Sequence, residues 1–492
     1  MLERPGVGGP ISVDTRGRAD PRVQRRRAVS LLAMTVVLPG SAQLVAGNRS
    51  LGRFALRVVL AAVGVVALLG LLALVSRSAA LTLVSHRWSL AVLEWALYGF
   101  AVLWAVLLVD AWRLGRPRST PLRTRRWLAV STVLALLLPA GVAYAGRNVG
   151  AVRDAVASVF ASGEALDAAD GRYNILLLGG DAGANRVGTR PDSIQLASVD
   201  AGTGRAVLFG FSRETENIRF RPGSVMAGLM PEGWTCGDEC LLNGIYTWAQ
   251  DHADQFPAGT ADPGVLATTE AVESLSGLDI QYHVLVDLQG FEGLIDAVGG
   301  LDITVQRRTP IGGGTSRISG WIEPGERRLD GYEALWYARS REGSTNYERM
   351  ARQRCVVTAL VSQLDPQTVV LNFAGIVGAT KGVISTDIPQ QALPRLADLA
   401  VKTKQQQITS VNFVPPLIKP WDYDPDVVRT TVAKAITASE EVDEGTASST
   451  GGAAPAPTSS AQPKPSTPAV MERPGTDPDA NTGDLASVCS AG

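Results

Sequence analysis

The chain has 492 residues, 46% of them hydrophobic, a formal net charge of −1, and only 3 His and 4 Cys. That length accommodates a membrane region plus one large soluble domain, or two to three ordinary domains. The near-neutral total hides a split: residues 1–150 carry 19 Arg and no Lys against Glu3, Asp14, Asp20, Glu94 and Asp110, a balance of +14 that leaves −15 for the remainder. The arginines flank hydrophobic runs instead of forming one stripe, which points to the cytoplasmic face of a membrane and argues against nucleic acid as a partner.

Residues 1–27 read as a basic cytoplasmic N-terminus and 28–146 as a membrane region. Four apolar stretches occur there, at 28–46, 58–75, 90–112 and 127–145, each near the roughly 20 residues that cross a bilayer as a helix. If all four crossed, Arg49, Arg53, Arg57 and the cluster from Arg113 to Arg126 would lie opposite the basic N-terminus. If the first does not cross, every arginine cluster falls inside and the rest of the chain falls outside. Pro39-Gly40 and Gln43 interrupt the first stretch, as in a re-entrant or interfacial segment. The expectation is therefore three crossings and a multi-pass membrane protein with an extracytoplasmic domain. Glu94 and Asp110, near the ends of the third stretch, are read as reaching interfacial water or an arginine, not as a proton path.

Residues 147–171 read as a short connector with helical spacing at Val152, Val156, Val159 and Phe160. The domain, 172–440, opens on an apolar run at 174–178 that ends in Gly179-Gly180-Asp181. Alternation at 193–199 leads through Asp200-Ala201-Gly202-Thr203-Gly204 to a strand at 207–211. Helical patterns follow at 241–251 and 265–275, then a strand at 282–286, a helix at 291–298 and a strand at 301–305. Such alternation predicts an α/β sheet covered by helices on both faces. From 441 to 492 the composition collapses to Pro, Ser, Thr, Gly and Ala, the signature of a solvated, disordered tail.

Cys236, Cys240, Cys355 and Cys489 permit three full pairings. Cys236-Gly-Asp-Glu-Cys240 suits a small disulfide loop better than half a zinc site in a chain with so few histidines.

Three segments carry chemistry. Asp181 and Asp192, with Arg190 between them at adjacent strand ends, suit a hard divalent cation and a phosphate, or else a turn residue and an ion pair. Phe211-Ser212-Arg213-Glu214-Thr215 places an arginine and a carboxylate at a strand end, where an open sheet exposes side chains to a cleft. Finally, Tyr337-Ala338-Arg339-Ser340-Arg341 is followed by Asn346-Tyr347-Glu348-Arg349-Met350-Ala351-Arg352-Gln353-Arg354. Arg339 and Arg341 read as two apart on an extended segment, and Arg349 and Gln353 as one helical face. Paired guanidinium forks suit pyrophosphate oxygens. Arg352 and Arg354 read as solvated filler.

The order of these segments, with the Leu241-Leu242-Asn243 helix start, resembles the LytR-CpsA-Psr family over about residues 172–364. The resemblance implies a three-layer α/β/α sandwich that binds a polyprenyl pyrophosphate in a long apolar pocket and attaches glycopolymers to peptidoglycan. It implies Mg²⁺ (or Mn²⁺) on Asp181 and Asp192, and pyrophosphate on Arg190, Arg213, Arg339 and Arg341, with Arg349 and Gln353 completing the head-group site. The implied partners are a polyprenyl-pyrophosphate-linked glycan donor, the peptidoglycan acceptor and the membrane. Two positions depart from the family pattern: Glu214 and Asn346 stand where it usually has Asp. Rival readings are a pyrophosphatase using water as acceptor, a non-catalytic lipid-binding scaffold, and a transcriptional attenuator, which needs a cytoplasmic domain. The polymer stays open between arabinogalactan, teichoic acid and capsule.

Overall fold

The computed structural model describes residues 21–75, 87–115, 122–161, 163–180, 190–313, 316–363, 384–441 and 482–484. The chain divides into two units, Met1–Asp154 and Ala155–Gly492.

In the first unit the opening apolar stretch breaks where its sequence says it must. Helix α1 (Pro21–Val37) stops before Pro39, Gly40 turns the chain at φ +97°, and the short α2 (Ser41–Ala46) follows. Ser41 Oγ donates to the carbonyls of Met34 and Leu38 at 2.8 Å, capping α1. A Cβ on Gly40 would lie 2.7 Å from Ala55 Cβ and 2.9 Å from Gly52 O, so both the φ and the contact require glycine there. Helices α3 (Arg49–Val75) and α4 (Arg87–Leu114) follow, then α5 (Leu122–Ala135) and α6 (Leu137–Val159). Among the described residues, three stretches are long and apolar enough to cross a membrane: Arg49–Leu72, Trp88–Leu114 and Leu122–Val159. Their polar groups are paired with each other. Glu94 holds Arg153 at 2.6 Å, and buried Gln43 donates to Leu107 O at 2.9 Å and Asp110 Oδ2 at 3.2 Å. The expected connector is largely helix, since α6 continues to Val159.

The second unit is built on a seven-stranded sheet. Its strands are β1 (Arg172–Gly180), β2 (Pro191–Asp200), β3 (Ala206–Phe211), β4 (Tyr282–Asp287), β9 (Ile384–Thr386), β10 (Ile408–Phe413) and β11 (Thr482–Asp484). Their order is β11-β10-β3-β2-β1-β4-β9. β2 is antiparallel to both β1 and β3, while β4 and β10 run parallel to them, so β1, β3, β4 and β10 end at one edge. β11 corrects the expectation of a wholly disordered tail: it pairs antiparallel with Thr409–Val411 of β10.

The period-2 alternation sorts the side chains into layers. Leu176, Leu178, Ile194, Leu196, Phe209, Phe211 and Phe413 pack on α7 (Val225–Leu229), α8 (Leu242–Asp251), α9 (Pro263–Ser276) and α14 (Pro425–Glu441). Tyr173, Val199 and Tyr282 face the other way, against Leu399 of α13 (Leu393–Lys404). Helix α12 (Asn346–Gln363) lies on that same face, where Arg354 meets Ser410 of β10. The result is the expected α/β/α arrangement. Cys236 and Cys240 are joined as a disulfide, and Cys355 is also disulfide-bonded.

Beside this sandwich is a second core. It joins α10 (Leu288–Ala297), β5 (Leu301–Val305), β6 (Thr309–Gly313), β7 (Ser316–Ile322), β8 (Gly325–Leu329), α11 (Gly331–Arg339) and the far half of α12 around Ile295, Leu301, Leu329, Tyr337 and Val356. β6, β7 and β8 went unread in the sequence, because glycines and arginines interrupt the alternation. Asp330 caps α11 by accepting from Glu333 N at 2.8 Å, and Gly331 presses on the backbone of Glu292 in α10, where a Cβ would meet the Glu292 carbonyl. Gly331→Ala is therefore expected to push α11 off α10 and cost about 1–3 kcal/mol, read as a lower melting temperature of the detergent-solubilised chain.

Candidate functional site

The site lies at the carboxyl ends of the parallel strands, where an open sheet exposes side chains to a crevice. Pro191 opens β2, a position that a residue without an N–H tolerates. The register then slips: Gly179 pairs with Ser193 but Gly180 with Pro191, leaving Asp192 as the extra residue of a bulge. A bulge re-aims its side chain, and here the carboxylate meets arginines from three other segments. Arg213, two residues beyond β3, donates from Nη1 to Asp192 Oδ1 at 2.6 Å. Arg349, in the first turn of α12, donates to the Asp192 carbonyl at 3.2 Å and places Nη1 3.7 Å from Oδ2. Arg341, two residues beyond α11, brings Nη2 to 3.9 Å from Oδ2.

Arg213 is held from behind through its backbone. The turn bearing Arg213 is closed by Thr215 Oγ1 donating to Ser212 O at 2.7 Å. The otherwise orphaned N-terminal amides of α8 tie it down further, Leu242 N donating to Thr215 O at 2.8 Å and Asn243 N to Arg213 O at 3.2 Å. This accounts for the Leu241-Leu242-Asn243 segment. Gln353 lines the same cleft as Asp192 and Arg213, with Gln195 and Asn412 from the sheet. Gln195 and Asn412 were missed because single polar residues inside apolar strands look like ordinary alternation.

Burial works against every charge here. It would raise the Asp192 carboxyl, but the pull and hydrogen bond of Arg213, with Arg349 and Arg341, leave it below the usual carboxylate range. Arg349 is 1% exposed. Burial first, then the like charges of Arg341 and Arg213, push its guanidinium down to about 10. Glu214 touches Arg213 at 3.6 Å from the half-exposed side.

The structure does not gather all of the expected residues. Asp181 lies outside the described residues. Arg190 is exposed and has no salt bridge with a described residue. Arg339 ends helix α11, so the Arg339–Arg341 segment is not extended, and its guanidinium lies 5.3 Å from the Trp336 ring centroid. Of the two arginines read as filler, Arg354 is buried and Arg352 is half-buried. Arg352 Nε donates to Tyr337 O at 2.7 Å, and its Nη2 to Ser340 O and, at 3.2 Å, to Ser344 Oγ. It thus binds the end of α11 just where the chain leaves toward Arg341. Arg354 is buried with Ser410 Oγ at 3.2 Å, and burial pushes it down to about 10. Helical spacing could not reveal this, because α12 is clasped by both cores and has little solvated face. Asn346, at the start of α12, keeps both amide atoms buried without a hydrogen bond.

The LytR_cpsA_psr family model matches residues 150–416, more than half of the chain. The chain belongs to this family. A relative from Oceanobacillus iheyensis, named polyisoprenyl-teichoic acid–peptidoglycan teichoic acid transferase TagU, is 26% identical over 285 residues, 55% of this chain and 79% of its own. Biofilm regulatory protein A of Streptococcus mutans is 24% identical, and the match spans 48% of this chain and 55% of that protein. The crystal structure of B. subtilis TagV aligns over 54% of this chain and 96% of its own, at 21% identity and a TM-score of 0.39.

Two predictions follow the geometry of this family member's site. A carboxyl depressed in the folded state stabilises it fully above its unfolded pKa, about 3.9, and that stability is lost as pH falls through the lower folded value. Asp192→Asn is expected to cost about 1.5–3 kcal/mol at pH 7, with the melting-temperature gap to wild type closing as pH is taken below the ordinary carboxylate range. Arg352→Met is expected to weaken pyrophosphate binding in titration calorimetry although Arg352 itself does not face Asp192, because it frees the Arg341 segment.

Proposed function

We propose that this chain is a membrane-anchored phosphotransferase that moves a glycopolymer from a polyprenyl-pyrophosphate carrier onto peptidoglycan through a phosphodiester bond. The observation that carries this reading is the convergence of Arg213, Arg341 and Arg349, from three separate segments, on the single carboxylate of Asp192. Forked donors in excess over their counter-charge suit a ligand with several anionic oxygens. The unpaired buried amide of Asn346 adds donor and acceptor capacity at the start of α12. The transferase name of the Oceanobacillus relative supports the same chemistry.

In the reaction, a peptidoglycan sugar hydroxyl attacks the glycan-bearing phosphorus. Its oxygen forms the new P–O bond, the bridging P–O bond of the pyrophosphate breaks, polyprenyl phosphate leaves with that oxygen, and the proton released by the hydroxyl passes through water to the departing phosphate. Phosphoryl transfer is mostly positioning and charge stabilisation, which arginines without a Ser-His-Asp triad can supply. Arg213, Arg341 and Arg349 hold the phosphate oxygens and neutralise charge as it shifts to the leaving group. Asp192, kept below the usual carboxylate range, is a weak proton acceptor and serves as counter-charge and arginine orienter.

The Asp192 carboxylate fits a share in holding Mg²⁺. Among the described residues Asp192 Oδ2 has only the long contacts of 3.7 and 3.9 Å, which leave it lone pairs. Among the described residues there is no group of three or more His, Cys, Asp or Glu that could cage a metal. One or two carboxylates plus substrate phosphate is the usual Mg²⁺ arrangement, here Asp192 with Asp181, and the ion would supply further neutralisation of the pyrophosphate. Three crossings from a cytoplasmic N-terminus would carry the domain outside, where lipid-linked donor and wall acceptor meet.

The test uses the full chain in detergent with a synthetic polyprenyl-pyrophosphate glycan and peptidoglycan oligomers, with and without Mg²⁺. Phosphate-linked product is expected, lost on chelation and reduced roughly 10²–10³-fold in Arg341→Ala. Release of lipid phosphate without coupled product would instead identify a pyrophosphatase, and lipid binding with no turnover a scaffold. A reporter fused after residue 440 is expected to read as extracytoplasmic; a cytoplasmic signal would return the attenuator reading.

A further inference from the structure

β6 and β7 form a two-stranded sheet that no step above uses. β6 lies along the segment that follows Arg341: a Cβ on Gly313 would sit 3.0 Å from the Glu342 side chain, and Arg307 Nη1 is 3.7 Å from Glu348 Oε1. β7 is the outer strand, and it exposes a built aromatic platform. Glu323 Oε1 accepts from Arg308 Nε at 2.8 Å, and Arg308 Cζ lies 4.3 Å from the centroid of the Trp321 ring. Trp321 is nonetheless 43% exposed, with Ile318 37% exposed on the same strand. Arg317 and Arg327 are exposed too, and neither has a carboxylate ion pair among the described residues.

An indole braced on one side by a pinned guanidinium presents its open face as a rigid, slightly negative apolar surface. The C–H face of a pyranose ring is its complement, apolar and slightly positive at the hydrogens, and unpaired arginines add affinity for carboxylates. We propose that the β6–β7 sheet is the acceptor-docking surface, on which Trp321 stacks a sugar of a carboxylate-bearing glycan strand beside the head-group site. This rests on the transferase reading and names where its acceptor binds. The exposed apolar area is small, which fits one sugar of a strand better than a membrane surface.

The experiment measures binding of soluble, uncrosslinked peptidoglycan strands to the full chain in nanodiscs, with inorganic pyrophosphate as a separate titration. Trp321→Ala is expected to lower strand affinity about fivefold, Trp321→Tyr to restore most of it, and both to leave pyrophosphate affinity and melting temperature at wild-type values. Unchanged strand affinity in Trp321→Ala overturns the proposal. So does quenching of Trp321 fluorescence by brominated phosphatidylglycerol, assigned by its loss in Trp321→Phe, since that would make the sheet a membrane contact. Wild type that binds pyrophosphate but no strands sinks this inference and leaves the head-group reading standing; strands bound without pyrophosphate does the reverse.

Discussion

The carboxylate of Asp192 is the interaction on which the rest of this site depends. It is the common neighbour of Arg213, Arg341 and Arg349, and so it ties the start of β2 to the end of β3, to the exit of α11 and to the first turn of α12. Burying Arg349 almost completely carries a desolvation penalty of several kcal/mol, which a lone carboxylate shared three ways offsets only in part. The Asp192 carboxylate gives its short contact to Arg213, so Arg349 and Arg341 reach its other oxygen at 3.7 and 3.9 Å, and Arg349 takes the Asp192 carbonyl at 3.2 Å as well. Burial fixes Arg349, 1% exposed, while the Arg341 side chain keeps 42% of its surface exposed, so the cluster is part preorganised and part open to a ligand that completes its charge balance.

That scaffold is two cores, not one. The sandwich supplies Asp192 and Arg213 from strand ends fixed by the packing of Phe209, Phe211 and Phe413. The second core supplies Arg341 and Arg349, and its grip on them is polar as much as apolar. Arg352 closes the carbonyl end of α11, Asp330 caps its start, and Gly331 sets its distance from α10. The Asp192–arginine cluster is the seam between the cores, and α12 serves both. Its arginines therefore have different duties within two turns: Arg349 faces the site, Arg352 braces α11, and Arg354 reaches Ser410 of the sheet.

What could be read in advance follows from this division. Strands β1 to β5 and helices α8 to α10 were legible because an apolar face at period 2 or 3.6 records burial against a single neighbour. The break after α1 was legible because Pro39-Gly40 acts locally. The roles of Arg352 and Arg354 were not, since both depend on a second partner across the fold that no periodicity encodes. β6 to β8 were hidden by Gly312, Gly313, Gly325 and the exposed Arg317, Arg327 and Arg328, which read as loop although β5 and β8 pair without a slip and β6 and β7 pair across an irregularity between Ile311 and Gly313. Arg339 misled for a local reason: the Asp330 capping box extends helix α11 through it, so Arg339 turns to Trp336 and only Arg341 reaches Asp192.

Asn346 bears on the order in which ligands arrive. One turn before Arg349, at a position where a carboxylate would have shared in compensating that guanidinium, it contributes no charge and leaves its amide unpaired. Compensation of the cleft then rests on Asp192, with Glu214 on the half-exposed side of Arg213. A divalent cation approaching by itself meets three guanidiniums within about 4 Å of the carboxylate oxygens it needs, and like-charge repulsion at such range in a partly buried site is worth several kcal/mol. A pyrophosphate approaching by itself meets attraction from all three. Under the proposed function, these electrostatics would favour the anion first and a divalent cation as its counter-ion, with Arg213, Arg341 and Arg349 holding the phosphates.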